Sequence, residues 1–229
     1  GFLVINVIIV YYVLSFFENS DRKYFAFAGY FSKYPLLFLS GLFYMMGLYI
    51  SNIIYWFYSD VSTQIMMFHV APTYDMATFL AILVNLSATV IFTVKVETQF
   101  FEKYRQYVTS LTRANYAVIE KARKIMSYTI NVQLFFIYEV QLIITIILTC
   151  ISILIFPMFG LGGLTLDFFL VLGIAMFVIF SMYFTVVFLY YFDDQVGSCG
   201  ATGIFLCVTI IASIIALKLG TAYYAVAPL

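Results

Sequence analysis

Six long stretches with few or no charged residues constrain this chain more than any other feature. They cover residues 2–17, 35–57, 76–94, 141–156, 164–192 and 199–222. The stretches are apolar on every face, unlike the one-sided stripe of a soluble helix, and a bilayer core of about 30 Å needs about 20 apolar residues per helix. None of them alternates polar and apolar residues, as the strands of a membrane barrel do. The sequence therefore predicts an all-α, polytopic transmembrane helix bundle with six spans.

The composition agrees with a chain that lives in a lipid bilayer. Hydrophobic residues make up 65% of the chain and charged residues only 10%, whereas soluble domains have about a quarter charged residues. The three cysteines, Cys150, Cys199 and Cys207, lie in or beside apolar stretches without metal-ligand spacing, and such cysteines pack as small hydrophobes. We expect no metal, no cofactor and no nucleic-acid partner.

The basic residues predict which loops face the cytoplasm. Three lie between the first two stretches and seven between the third and fourth, so ten of the 11 Lys and Arg residues occupy two loops. Only Lys218 lies elsewhere. Because positively charged loops stay on the cytoplasmic side, six alternating spans place both chain ends outside. Gly1 opens an apolar run without an initiator Met, and we expect residues 1–229 to be a fragment of a larger transporter domain.

Residues 96–127 join the third and fourth stretches, and they mix charges with aromatic residues. No Gly or Pro interrupts the segment, and apolar residues recur in it at near-helical spacing. We predict a cytoplasmic amphipathic helical elbow at the membrane surface. Two interpretations stay open: the elbow only connects two spans, or it docks a partner.

Four short motifs resemble the Pel exopolysaccharide transporter family, PelG. They are APTYDMATFLA (71–81), VETQFFEKYRQY (96–107), YYFDD (190–194) and LGTAYYA (219–225). The second motif contains Glu97, Glu102, Tyr104 and Arg105, and the third contains Asp193. Their order and spacing are also similar to those of the family.

The resemblance implies more than the residues alone predict. It implies a twelve-helix transporter, similar to the multidrug/oligosaccharidyl-lipid/polysaccharide flippases, with this chain supplying about helices six to eleven. Such a subunit exports a growing exopolysaccharide for the biofilm matrix across the bacterial cytoplasmic (inner) membrane. Its implied partners are a cytoplasmic glycosyltransferase and companion membrane subunits of the synthase complex. The alternatives are a non-transporting subunit that recruits a synthase, and a flippase for lipid-linked oligosaccharides.

Polar and aromatic groups inside the spans are candidates for a substrate path, because polar groups in a membrane are costly and mark paths or helix contacts. Tyr49, Asn52 and Trp56 share one helical stripe at i, i+3 and i+7, and Asp75 begins the next span; the alternative role for the stripe is helix packing. Asn85 fits either the path or an interhelical hydrogen bond. Glu139 fits either the cytoplasmic interface or a role in a lumen or in ion coupling.

The candidates for partner docking are Glu97, Glu102, Tyr104, Arg105 and Asp193. Asp193 and Asp194 also suit the start of the next helix, where carboxylates are favoured. Catalysis is poorly supported, since the chain has one histidine, no phosphate-binding glycine loop and no acid pair on a defined face. We therefore expect a transport protein and not an enzyme.

Overall fold

A computed structural model describes residues 2–16, 28–113 and 115–229. Eight α-helices and one β-hairpin account for most of the described residues. The helices are α1 (Phe2–Phe16), α2 (Ala28–Lys33), α3 (Pro35–Tyr58), α4 (Pro72–Ile91), α5 (Thr98–Arg113), α6 (Tyr116–Ile155), α7 (Leu164–Tyr191) and α8 (Gln195–Leu219). A π-helical segment, Phe92–Glu97, joins α4 to α5, and 3-10 turns follow α6 and α8 at Phe156–Phe159 and Thr221–Val226.

Five helical segments are long and apolar enough to cross a membrane: α3, the continuous Pro72–Thr112 segment, the Tyr116–Phe159 segment, α7 and α8. They correspond to five of the six predicted spans. The sixth, at the amino end, forms α1, which has 15 residues. A sixth span and a twelve-helix assembly therefore stay predictions.

Two helix pairs run parallel through the bundle. In the first pair, α3 lies along α8: the Ser40 hydroxyl lies 3.3 Å from Thr202 Oγ1, and the Ser51 hydroxyl lies 2.9 Å from that of Ser213. Small residues allow this close approach. Gly47 lies directly beneath the ring of Phe205, and a Cβ at this position would collide with that ring.

The second pair consists of α4 and α7, and α6 crosses both helices in the opposite direction. The Asn85 amide donates to the Gly173 carbonyl oxygen over 3.2 Å, and the Phe92 and Phe184 rings stack at 4.6 Å. On α6, Tyr138 Oη lies 3.0 Å from Thr185 Oγ1 of α7. These directions are those expected for spans that alternate across a membrane.

The segment predicted as an elbow, residues 96–127, falls on two helices, α5 and the first part of α6. The α4 helix continues through the π segment into α5, the chain reverses near Asn115, and α6 returns as one 40-residue helix into the membrane. Phe100 of α5 is fully buried, against Phe188 and Tyr191 of α7 at ring distances of 4.9 and 5.1 Å. Aromatic packing thus holds the helical hairpin formed by α5 and the start of α6 against α7.

The opposite end of the bundle carries the β-hairpin, which the sequence did not predict. Strand β1 (Thr63–Ile65) pairs antiparallel with β2 (Phe68–Val70), and Met66 turns the chain with a φ of 55°. Beneath it, the buried rings of Tyr55, Tyr74 and Tyr224 pack together. The Tyr55 hydroxyl donates to the Tyr224 carbonyl oxygen over 3.1 Å. This cluster fixes the ends of α3 and α4 beside the carboxyl-terminal turn.

Candidate functional site

The Asp75 carboxylate is the centre of the candidate site. Pro72 starts α4, where its missing N–H costs no hydrogen bond, and Asp75 lies in the first turn. Its Oδ2 accepts from the backbone N–H of Ala71 over 3.1 Å. A carboxylate here is favoured by the free N–H groups and the positive end of the helix dipole. The local sequence thus fixes the carboxylate at the amino-terminal end of α4.

Two side chains of α3 bind the same carboxylate. Asn52 and Trp56 lie one turn apart, on the face of α3 that meets α4. The Asn52 amide donates to Oδ1 of Asp75 over 2.8 Å, and the Trp56 indole N–H lies 2.9 Å from each carboxylate oxygen. No Lys or Arg forms an ion pair with Asp75 among the described residues. Among the described residues, three N–H donors therefore hold this carboxylate.

These groups line one open groove between α3 and α4, with a volume of about 440 Å³. Its lining residues are Tyr49, Asn52, Ile53, Trp56, Asp75, Thr78, Phe79 and Ile82. Tyr49 is 47% exposed, whereas Asn52 is only 6% exposed. Aromatic faces beside an amide and a carboxylate suit a ligand that has both apolar ring faces and hydroxyl groups. The structure thus brings together four of the six predicted path residues.

Asn85 lies in a separate, sealed cluster between α4, α6 and α7. Its side chain is fully buried, and its Oδ1 accepts from Gln141 Nε2 over 3.2 Å and from Thr145 Oγ1 over 3.0 Å. Gln141 Oε1 accepts from the Ser87 hydroxyl over 3.0 Å. Of the two roles considered for Asn85, a substrate path or an interhelical hydrogen bond, the structure thus shows interhelical hydrogen bonds.

Glu139 belongs to neither cluster. It lies on the exposed side of α6, and its carboxylate has no hydrogen bond or ion pair within the described part of the chain. The structure therefore separates Glu139 from the other path candidates.

The predicted docking residues differ in exposure. Glu102 and Arg105 are exposed on α5, whereas Tyr104 is half-buried, with its ring 6.0 Å from that of Tyr191. Asp193 is exposed and accepts from Gln195 Nε2 over 2.8 Å, and its neighbour Asp194 caps α8 by accepting from the Gly197 N–H. The side chain of Glu97 lies outside the described residues.

Several contributors to the two clusters were not identified from the sequence. Thr78, Phe79 and Ile82 lie three, four and seven residues after Asp75, so helical spacing from that carboxylate would have placed them on the groove. Gln141 and Thr145 were likewise detectable as polar residues four apart in an apolar helix. No group of three His, Cys, Asp or Glu side chains comes together in the ranges that the structure describes.

Comparisons with known proteins agree with the membrane architecture. Residues 1–227, nearly the whole chain, match the family described as "PelG: Putative exopolysaccharide Exporter (EPS-E)". No curated protein and no solved structure gives a significant match. PelG is an exporter family and not an enzyme family, and its description fits a multi-pass membrane protein. The chain belongs to the PelG family of exopolysaccharide exporters.

Proposed function

We propose that this chain conducts a growing exopolysaccharide across the bacterial cytoplasmic membrane for the biofilm matrix, and that the groove around Asp75 is part of the path. The family match over residues 1–227 is the observation that carries the export role. The groove supports the finer assignment, because it combines aromatic rings with hydrogen-bonding groups on an open face.

A path for a moving polymer needs weak and replaceable contacts. Tyr49 and Trp56 offer ring faces for sugar rings, and Asn52 and Asp75 offer partners for hydroxyl groups. Each such hydrogen bond contributes on the order of 1 kcal/mol, since it replaces a hydrogen bond to water. Contacts of this size can hold a chain in register without trapping it.

The double variant Trp56→Ala/Asp75→Ala tests this function. We expect secreted polymer per folded molecule to fall severalfold; normalising to folded protein separates this loss from any stability lost when the buried Asn52 amide loses its carboxylate partner. Thr63→Ala, in the exposed β-hairpin, is the matched control. Unchanged secretion would favour the second candidate, a subunit that assembles the synthase while another component forms the path.

The proposal includes a cytoplasmic glycosyltransferase and companion membrane subunits, within a twelve-helix transporter. Support for a cytoplasmic contact comes from α5, where Glu102 and Arg105 are exposed and make no ion pair among the described residues. Replacing both with Ala should lower co-purification of the glycosyltransferase, whereas Thr112→Ala on the same helix should not. Equal recovery of the glycosyltransferase with the double variant and with Thr112→Ala would indicate that the α5–α6 helical hairpin only connects two spans.

A further inference from the structure

The two α3 side chains that hold Asp75 share a pattern in the sequence. Asn52 directly follows Ser51, and Trp56 directly follows Tyr55. Ser51 and Tyr55 are buried, and neither lines the groove. Because successive residues turn by about 100° around a helix axis, each donor to the carboxylate is preceded by a buried hydroxyl on another side of α3.

Both of these buried hydroxyls bind α8 or the turn that follows it. The Ser51 hydroxyl lies 2.9 Å from that of Ser213, which is fully buried on α8. The Tyr55 hydroxyl donates to the Tyr224 carbonyl oxygen over 3.1 Å, within the 3-10 turn Thr221–Val226. These two bonds attach α3 to α8 and its terminal turn at points that are one helical turn apart.

The rotation of α3 about its own axis decides whether the donors reach Asp75. The carboxylate lies 2.8 Å from the Asn52 amide nitrogen and 2.9 Å from the Trp56 indole nitrogen, and such bonds extend to about 3.2 Å. A side-chain tip about 6 Å from the helix axis moves about 2 Å when the helix turns by about 20°. A small rotation would therefore break both contacts, and the hydroxyl bonds to α8 and its turn oppose that rotation.

We propose that Ser213 and Tyr55 are positioning residues for the candidate site. Their hydroxyl bonds hold α3 at the rotation that brings Asn52 and Trp56 to the carboxylate. Neither residue lines the groove, so α8 sets the geometry of the site from another side of α3. The inference rests on the proposed function only in treating the groove as part of the path, and the geometry that it assigns can be measured without polymer.

Trp56 makes this geometry measurable, because it is the only tryptophan in residues 1–229. An ultraviolet resonance Raman band of tryptophan reports how strongly the indole N–H is hydrogen-bonded. We would record this band for the purified full-length exporter in lipid nanodiscs, with any tryptophan outside residues 1–229 replaced by phenylalanine. Asp75→Ala removes the acceptor and gives the reference shift for complete loss of the bond.

The double variant Ser213→Ala/Tyr55→Phe removes both hydroxyls and keeps the aromatic ring at position 55. We expect its Raman band to shift by at least half of the Asp75→Ala shift, because α3 is then free to rotate. The control Ser152→Ala/Tyr138→Phe removes the same two kinds of hydroxyl from α6, including one that bonds to α7. This control should leave the band at its wild-type position.

Ser213→Thr keeps a hydroxyl and should retain the wild-type band. An unshifted band in the double variant would overturn the inference, and so would an equal shift in the α6 control. If the double variant gives no folded protein, Ser213→Ala and Tyr55→Phe are measured singly, and the absence of a shift in both would also overturn it. Secreted polymer per folded molecule tests the proposed function separately: a shifted band with unchanged export would keep the positioning role and remove the groove from the path.

Discussion

The groove around Asp75 and the cluster around Asn85 are both polar sites in an apolar helix bundle, and both use α4. The Asp75 site opens to a groove and holds its carboxylate with donors from α3 and the backbone. In the Asn85 cluster, three helices satisfy one another and the amide is fully buried. Polarity inside a span therefore does not by itself indicate a substrate path.

The largest expected effect is loss of folded protein in Asn85→Leu. The substitution removes the partner of Gln141, Thr145 and the Gly173 carbonyl oxygen, and buried polar groups left unpaired cost about 1–3 kcal/mol. We expect a clearly lower thermal midpoint in detergent and a several-fold lower yield. Export per folded molecule should stay unchanged. Normal folding with lost export would instead place Asn85 in the path, and the Asn85 cluster and the Asp75 groove would then not differ in function.

Asp75→Asn should lower export without lowering the amount of folded protein. Its effect should be smaller than that of Asn85→Leu. The amide keeps the size of the side chain but removes the charge that three N–H donors stabilise. We expect export to fall about fivefold, or about 1 kcal/mol, measured as secreted polymer per folded molecule. A lower thermal midpoint in proportion to the lost export would instead make Asp75 a packing residue.

Trp56→Phe should have the smallest effect of the three. The ring face remains for stacking, while the indole N–H that lies 2.9 Å from both Asp75 oxygens is removed. We expect a two- to threefold loss of export, since one hydrogen bond at the low end of the usual range contributes about 0.5 kcal/mol. Trp56→Ala should lose more, and equal losses in the two variants would indicate that the ring face contributes nothing.

The sequence was sufficient for the membrane class and for half of the residues that line the groove. Stretches with few or no charges located α3, α4, α7 and α8 within about four residues, whereas the fourth stretch covered only the second half of the 40-residue α6. The i, i+3 and i+7 spacing placed Tyr49, Asn52 and Trp56 on one side of α3. The separation of Glu139 from the groove was not predictable in the same way, because it depends on which face of α6 packs against α4 and α7. Pairing of α3 with α8 and α4 with α7 likewise depends on side-chain fit, which periodicity does not encode.

Polymer protection of the groove is the most direct test of the central claim. In a background without Cys150, Cys199 and Cys207, Ile53→Cys would be labelled from outside with a membrane-impermeant thiol reagent; Thr63→Cys in the β-hairpin is the control. If the groove is part of the path, labelling at position 53 should slow severalfold while polymer is being made and recover when the synthase is inactive. Labelling at position 63 should not change. Equal labelling rates at position 53 with and without polymer synthesis would contradict the account.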